Sequence, residues 1–173
     1  MIARIDCGPA VLRGWLDRDR AALLRFANNR SVWRNLKDRF PHPYTERDAD
    51  AWLALTREQP GRTNWAIEVD GLAVGCVGLE PMADVYRRTA HIGYWLAEPY
   101  WGRGIMTDAV RAVAAHAMGT LGVARLEAPV FAWNPASMRV LEKCGFDREA
   151  VMRKSVFKDG ELIDSVLYAK VEP

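Results

Sequence analysis

Apolar residues along this chain come in short runs that switch between two periods. Residues 1–10 follow neither and end at Gly8-Pro9. Val11-Leu12-Arg13-Gly14-Trp15-Leu16 reads as a first strand. Asp17 suits the N-cap of a helix carrying Leu23, Leu24, Phe26 and Ala27, and Asn28-Asn29 ends it. From Arg30 to Tyr44 the pattern is irregular: Trp33, Leu36 and Phe40 mix with Arg34, Lys37 and Arg39, then Pro41 and Pro43 follow. Thr45-Glu46-Arg47-Asp48 has the form of a capping box, so a second helix starts there and carries Ala49, Trp52, Leu53 and Leu55. Gln59-Pro60-Gly61 is a turn.

The rest of the chain alternates more cleanly. Trp65 to Val69 and Leu72 to Leu79 are strands joined by the hairpin signal Asp70-Gly71. Gly75 and Gly78 mark a bulge or a close backbone approach, and Glu80-Pro81 ends the pair. Asp84 to Arg88 is a polar connection, and Thr89 to Leu96 is the next strand. Met106, Ala109, Val110, Val113 and Ala117 then repeat at helical spacing. Ala124 to Phe131 is a buried strand. Asn134-Pro135 starts a short helix that ends at Lys143, with Gly145 at its C′ position. Phe146 to Phe157 and Leu162 to Ala169 close as a hairpin around Lys158-Asp159-Gly160. The order predicts an α/β chain of mixed α+β type, a mixed sheet with helices on its faces, in one domain over residues 1–173.

One junction has chemistry of its own. After the strand, Glu98-Pro99-Tyr100-Trp101 breaks the ladder and Gly102-Arg103-Gly104 opens the long helix. A helix start exposes unpaired backbone N–H groups and a partial positive charge, glycines let an anion come close, and Arg103 adds a cation. The pattern suits phosphate oxygens; a sharp turn alone would explain the glycines equally. No P-loop spacing is present. A dinucleotide fingerprint is only partial, because Thr107 stands at its third glycine, with Glu127 about where a ribose-binding acid would lie. That fold should open with its Gly-rich unit and then repeat it; here the unit comes late and once.

Composition narrows the partners. A net charge of +2 gives no case for nucleic acid as the main one. Cys7, Cys76 and Cys144 are odd in number and far apart, which implies no disulfide framework. The three histidines have no metal-ligand spacing. No apolar run reaches the length of a membrane span and no leader pattern is present, so a reduced cytoplasm is the default. The seven tryptophans read as anchors of the core or of an interface.

Trp101-Gly102-Arg103-Gly104-Ile105-Met106, followed by Thr107-Asp108-Ala109, resembles the pyrophosphate loop of the GNAT acetyltransferases, Gln/Arg-x-x-Gly-x-Gly/Ala. A second block, Asn134-x-x-Ser137 leading to Glu142-Lys143-Cys144-Gly145-Phe146, is similar to that family's other acetyl-CoA block, roughly 30 residues on. With Phe40-Pro41-His42-Pro43-Tyr44-Thr45, these motifs resemble the branch of ribosomal-protein N-terminal acetyltransferases. The resemblance runs from about Val11 to Ala169. It implies a mostly antiparallel sheet of about seven strands with a splayed parallel pair and about four helices. It implies acetyl-CoA as cofactor and a primary amine, on a peptide N-terminus or a small molecule, as acceptor. Monomer or homodimer stays open.

Carried over residue by residue, the resemblance assigns Tyr94, Trp95 and Leu96 to the thioester end. Trp101, Gly102, Arg103, Gly104, Ile105, Met106 and Thr107 go to the pyrophosphate, and Asn134, Ser137 and Lys143 to the second block. Trp101 and Met106 depart from the family pattern at the Gln/Arg and Gly/Ala positions. Asn134 also fits a plain N-cap. Asn35, Phe40, His42 and Tyr44 either touch the acceptor or only pack the front loop. Acyl transfer needs an amine free to attack, donors for the oxyanion and a proton for the departing thiolate. Many relatives place a Tyr seven residues after the Asn for that proton; here the position is Leu141, and Ser137 is the branch's substitute. The base is Glu80, His91 or an ordered water. His91, Gly93 and Trp95 share a strand face by alternation. Leu141 and Met106 keep open a non-catalytic acyl-CoA or nucleotide-binding module. The basic front loop, with Arg30, Arg34, Lys37 and Arg39, argues against polyamines as acceptors.

Overall fold

The computed structural model describes residues 4–58 and 63–172, so the turn expected at Gln59-Pro60-Gly61 lies outside the described residues. Among the described residues are eight strands and five α-helices. They group into two compact units, one holding residues up to Gly78 with Tyr94–Ala109, the other Leu79–Gly93 with the chain from Val110 onward.

In the first unit, β1 (Ile5–Cys7) pairs antiparallel with β2 (Ala10–Arg13), β2 with β3 (Asn64–Val69), and β3 with β4 (Leu72–Pro81, in this unit to Gly78). Between β2 and β3 lie α1 (Arg20–Phe26), α2 (Arg30–Trp33) and α3 (Glu46–Glu58). Leu12, Leu23, Trp65, Ile67, Val74 and Val77 form its core, each fully buried. The Asp70-Gly71 hairpin forms as expected, and the capping box of α3 closes with the Thr45 amide donating to Asp48 at 2.7 Å. Those bonds from Thr45 hold the Asp48 carboxyl below its usual range. At Gly75 the close-approach reading holds: a Cβ there would collide with the Trp95 carbonyl oxygen.

The start of α1 differs from expectation. Asp17–Asp19 form a 3-10 turn and the helix begins at Arg20. The carboxylate that organises this start is Asp19, which takes two bonds from the Arg13 guanidinium (2.7 and 2.8 Å) and one from the Leu16 amide (2.9 Å). Arg13 also donates to Glu68. An arginine buried among apolar strands needs such partners, because an unpaired buried charge is costly.

In the second unit the strand order is β5 (Thr89–Leu96, in this unit to Gly93), β6 (Arg125–Phe131), β8 (Glu161–Val171), β7 (Asp147–Lys158). The β5–β6 pairing is parallel over Thr89–His91 against Arg125–Glu127; β6–β8 and β7–β8 are antiparallel. Helix α4 (Ile105–Gly119) enters this unit from Val110, and α5 is Pro135–Lys143. Val110, Val113, Leu126 and Leu141 are fully buried here. The closing hairpin is less regular than its sequence: the β7–β8 register shifts between Met152 and Val156, where the Lys154 amide donates to Asp164 at 2.8 Å. Among the described residues no helix is long and apolar enough to cross a membrane.

Candidate active site

In the first unit, the segment after β5 is tied back onto its own strand. The Ala97 amide donates to the Val74 carbonyl (2.8 Å), and the Trp101 indole N–H donates to the Leu96 carbonyl (2.7 Å). Trp101, standing where the family pattern has Gln or Arg, thus pins the loop by its ring nitrogen. Gly102 and Gly104 sit at φ +74° and +80°, a region that strains any side chain. A Cβ built on either would meet no described atom within 4 Å, so the loop's outer side is open. The Asp108 amide donates to the Gly104 carbonyl (3.1 Å) as the first turn closes. The Arg103 guanidinium lies over the Tyr100 ring, 5.3 Å from its centroid. Ile105 and Met106 are buried, so the methionine at the family's Gly/Ala position is part of the core. Two glycines at positive φ, a helix N-terminus and a nearby cation are features that suit a phosphate group.

The same unit brings the front loop to this strand. The Phe40 ring meets Trp95 at 5.6 Å between centroids and Tyr44 at 5.4 Å. The Asn29 side chain caps α2 by accepting from the Val32 amide (3.2 Å) and donates to Glu98 (2.8 Å). Phe26 meets Tyr100 edge-on at 5.9 Å. Of the four acceptor candidates, Tyr44 is buried, its phenol pushed up by desolvation. Asn35 is half-buried and donates to the Ser31 carbonyl (3.0 Å). His42 is exposed against Trp33 (5.6 Å), and Phe40 is half-buried. Sequence reasoning missed Asn29 and Glu98; an Asn just before a helix is a known cap signal, and here it was read only as a stop.

In the second unit, Asn134 caps α5, accepting from the Ser137 amide at 3.2 Å, with Pro135 at the first helical position. Ser137 is half-buried at N3. Leu141 is fully buried, so the position of the family's usual tyrosine faces the core. Lys143 is exposed, and its carbonyl accepts from Arg111 (3.4 Å). Glu80 is exposed at the end of β4. His91 Nε2 lies 3.3 Å from Glu127. Glu127 also accepts from Arg125 (2.7 Å), which forks onto Glu149 at 2.9 and 2.5 Å. Glu127 therefore has a protein partner in place of the ribose that a dinucleotide fold would give it. Only strand register brings these four groups together, so no local sequence signal announces them.

The family described as "Acetyltransferase (GNAT) domain" matches residues 10–147. This chain belongs to the GNAT acetyltransferases. It is an N-acetyltransferase with acetyl-CoA as donor. It is 30% identical to the uncharacterized N-acetyltransferase YoaA of Bacillus subtilis, over 100% of this chain and 99% of that one. It is 31% identical to the ribosomal-protein-serine acetyltransferase of Escherichia coli, over 54% of this chain and 50% of that one. RimJ of Mycobacterium smegmatis, solved with CoA-disulfide, superposes with a TM-score of 0.82 at 25% identity, covering 98% of this chain and 86% of that one.

Proposed function

We propose that this acetyltransferase acts on the amino terminus of a peptide, in a complex holding both substrates, and that residues 1–173 act as one domain. The observation that supports the reading is the Phe40–Trp95 contact, which brings the front loop against the strand that leads to the glycine pair. The relationship to the E. coli ribosomal-protein-serine acetyltransferase supports a peptide acceptor.

Acetyl-CoA supplies an acetyl group already activated as a thioester. The amides of Gly102 to Thr107 and the Arg103 cation suit the diphosphate, and the backbone of Tyr94, Trp95 and Leu96 the acyl arm. The family resemblance adds Asn134 and Lys143 as cofactor contacts. Ser137 gives its hydroxyl proton to the departing thiolate and regains one from water, while the proton taken from the amine passes out to water, so that CoA leaves as the thiol and the hydroxyl is restored. His91, steadied by Glu127, takes the proton from the attacking amine in preference to the exposed Glu80. Asn35, Phe40 and His42 face the acceptor, and Tyr44 supports Phe40 from the core.

The test is thiol release from acetyl-CoA with three acceptors: a peptide with a free N-terminal Ser, the same peptide blocked at that end, and a small primary amine. Turnover of the free peptide alone, with the acetyl group on its α-nitrogen, is expected. Turnover of the small amine alone overturns the reading.

A further inference from the structure

Arg103 is the cation of the glycine turn, and it is exposed. A long side chain in water samples many rotamers, and an arriving anion has to restrict them. Here one place is already favoured: the guanidinium lies over the Tyr100 ring, 5.3 Å from its centroid. Among the described residues it meets no carboxylate. Glu98 keeps its negative charge on the same turn, but it accepts from Asn29 (2.8 Å) and not from Arg103.

Tyr100 is itself held. It closes the 3-10 turn Glu98–Tyr100, its amide donating to the Ala97 carbonyl (2.9 Å). The next residue is tied twice, its amide to the Glu98 carbonyl (3.1 Å) and its indole to the Leu96 carbonyl. The Tyr100 ring is half-buried and meets the buried Phe26 of α1 at an interplanar angle of 88°. The Asn29–Glu98 bond ties the same turn to the start of α2. A ring fixed by its turn and by Phe26 gives the guanidinium a fixed seat. All of these residues belong to the first unit.

We infer that Tyr100 is a positioning residue for the coenzyme. It acts through Arg103: the ring face attracts the cation and holds it beside the glycine pair before acetyl-CoA arrives. A ring does this without the hydrogen bonds a carboxylate would take, so the N–H donors stay available to phosphate oxygens. Less side-chain freedom is then lost on binding, and affinity rises. The inference rests on the reading that Arg103 serves the diphosphate.

The experiment measures acetyl-CoA dissociation constants by calorimetry for a series at position 100: Tyr, Phe, a trifluorinated phenylalanine and Leu. Each is made with Arg103 and with Arg103→Gln. Fluorine draws electron density from the ring face and keeps the ring's shape, so it removes the attraction without removing the packing. With Arg103 present, Tyr100→Phe should bind as the wild type does. The fluorinated ring and Tyr100→Leu should each lose about fivefold. Arg103→Gln should lose about tenfold, and on that background the series should be flat. A flat series with Arg103 present, or the same losses in Arg103→Gln, overturns the inference; weaker binding by Arg103→Gln itself then leaves the diphosphate reading standing. Unchanged affinity in Arg103→Gln overturns both. Should Tyr100→Leu fail to fold, the fluorinated ring decides.

Discussion

Phe40 and Trp95 meet at an interplanar angle of 62°, with 5.6 Å between ring centroids. One ring belongs to the irregular stretch between two helices, the other to the strand before the Gly102–Gly104 turn. Edge-to-face pairs of this kind contribute about 0.5–1.5 kcal/mol beyond the area they bury. The contact fixes a polar, otherwise loosely specified loop to a rigid element.

Replacing Phe40 by Ala should therefore raise KM for the acceptor several-fold and leave the dissociation constant for acetyl-CoA nearly unchanged. A double-mutant cycle with Trp95→Ala reads the coupling directly. Additive effects would show that the rings act separately.

Gly104 sits at φ +80°, where an L-residue pays about 1–2 kcal/mol. In Gly104→Ala the loop should relax away from that geometry and turn its amides off the diphosphate. Calorimetry should show acetyl-CoA affinity falling by about tenfold. Because the added methyl meets no described atom within 4 Å, a steric clash would not account for the loss.

Ser137→Ala keeps the α5 cap, since Asn134 accepts from the residue-137 backbone amide. Folding and cofactor affinity should be retained while kcat falls by about a hundredfold or more, the range for loss of a positioned acid. Asn134→Ala should do the reverse on stability, losing about 1 kcal/mol of helix capping. Thermal melts and steady-state rates on the two variants separate the roles; an unchanged kcat in Ser137→Ala would remove the hydroxyl from proton transfer.

The fork from Arg125 holds the Glu149 carboxyl below its ordinary 4.5. A lowered folded-state value stabilises the native form above the unfolded value and is lost as pH falls through the folded one. Melting temperatures of wild type and Glu149→Gln should differ above about pH 4.5 and converge below it. A gap that persists or widens in acid would contradict the pairing.

Much of this was legible in the chain. The two hairpin turns, the Thr45–Asp48 box, the glycine pair opening the long helix and the Asn134-Pro135 start all announce themselves within four residues, and all appear as read. What escaped depends on partners far along the chain. Helix α2 has four residues and stands on the Asn29 cap, too short for a period to show. Strand β1 has three. Asp17 was the nearer candidate to start α1, yet Arg13 and Leu16 select Asp19. The turn at Gly102 and Gly104 could be read because it is contiguous. The aromatic contacts of Phe40, and the group formed by His91, Glu127, Arg125 and Glu149, arise only once strands are in register.

Gly75 leaves room for a hydrogen atom and nothing larger, because the Trp95 carbonyl fills the space beside it. Even a methyl there would have to displace the strand that carries Trp95, and with it the ribbon leading into the glycine pair. Any side chain at position 75 would therefore be felt twenty residues on, at the strand that leads into the helix start, before it was felt anywhere nearer in sequence.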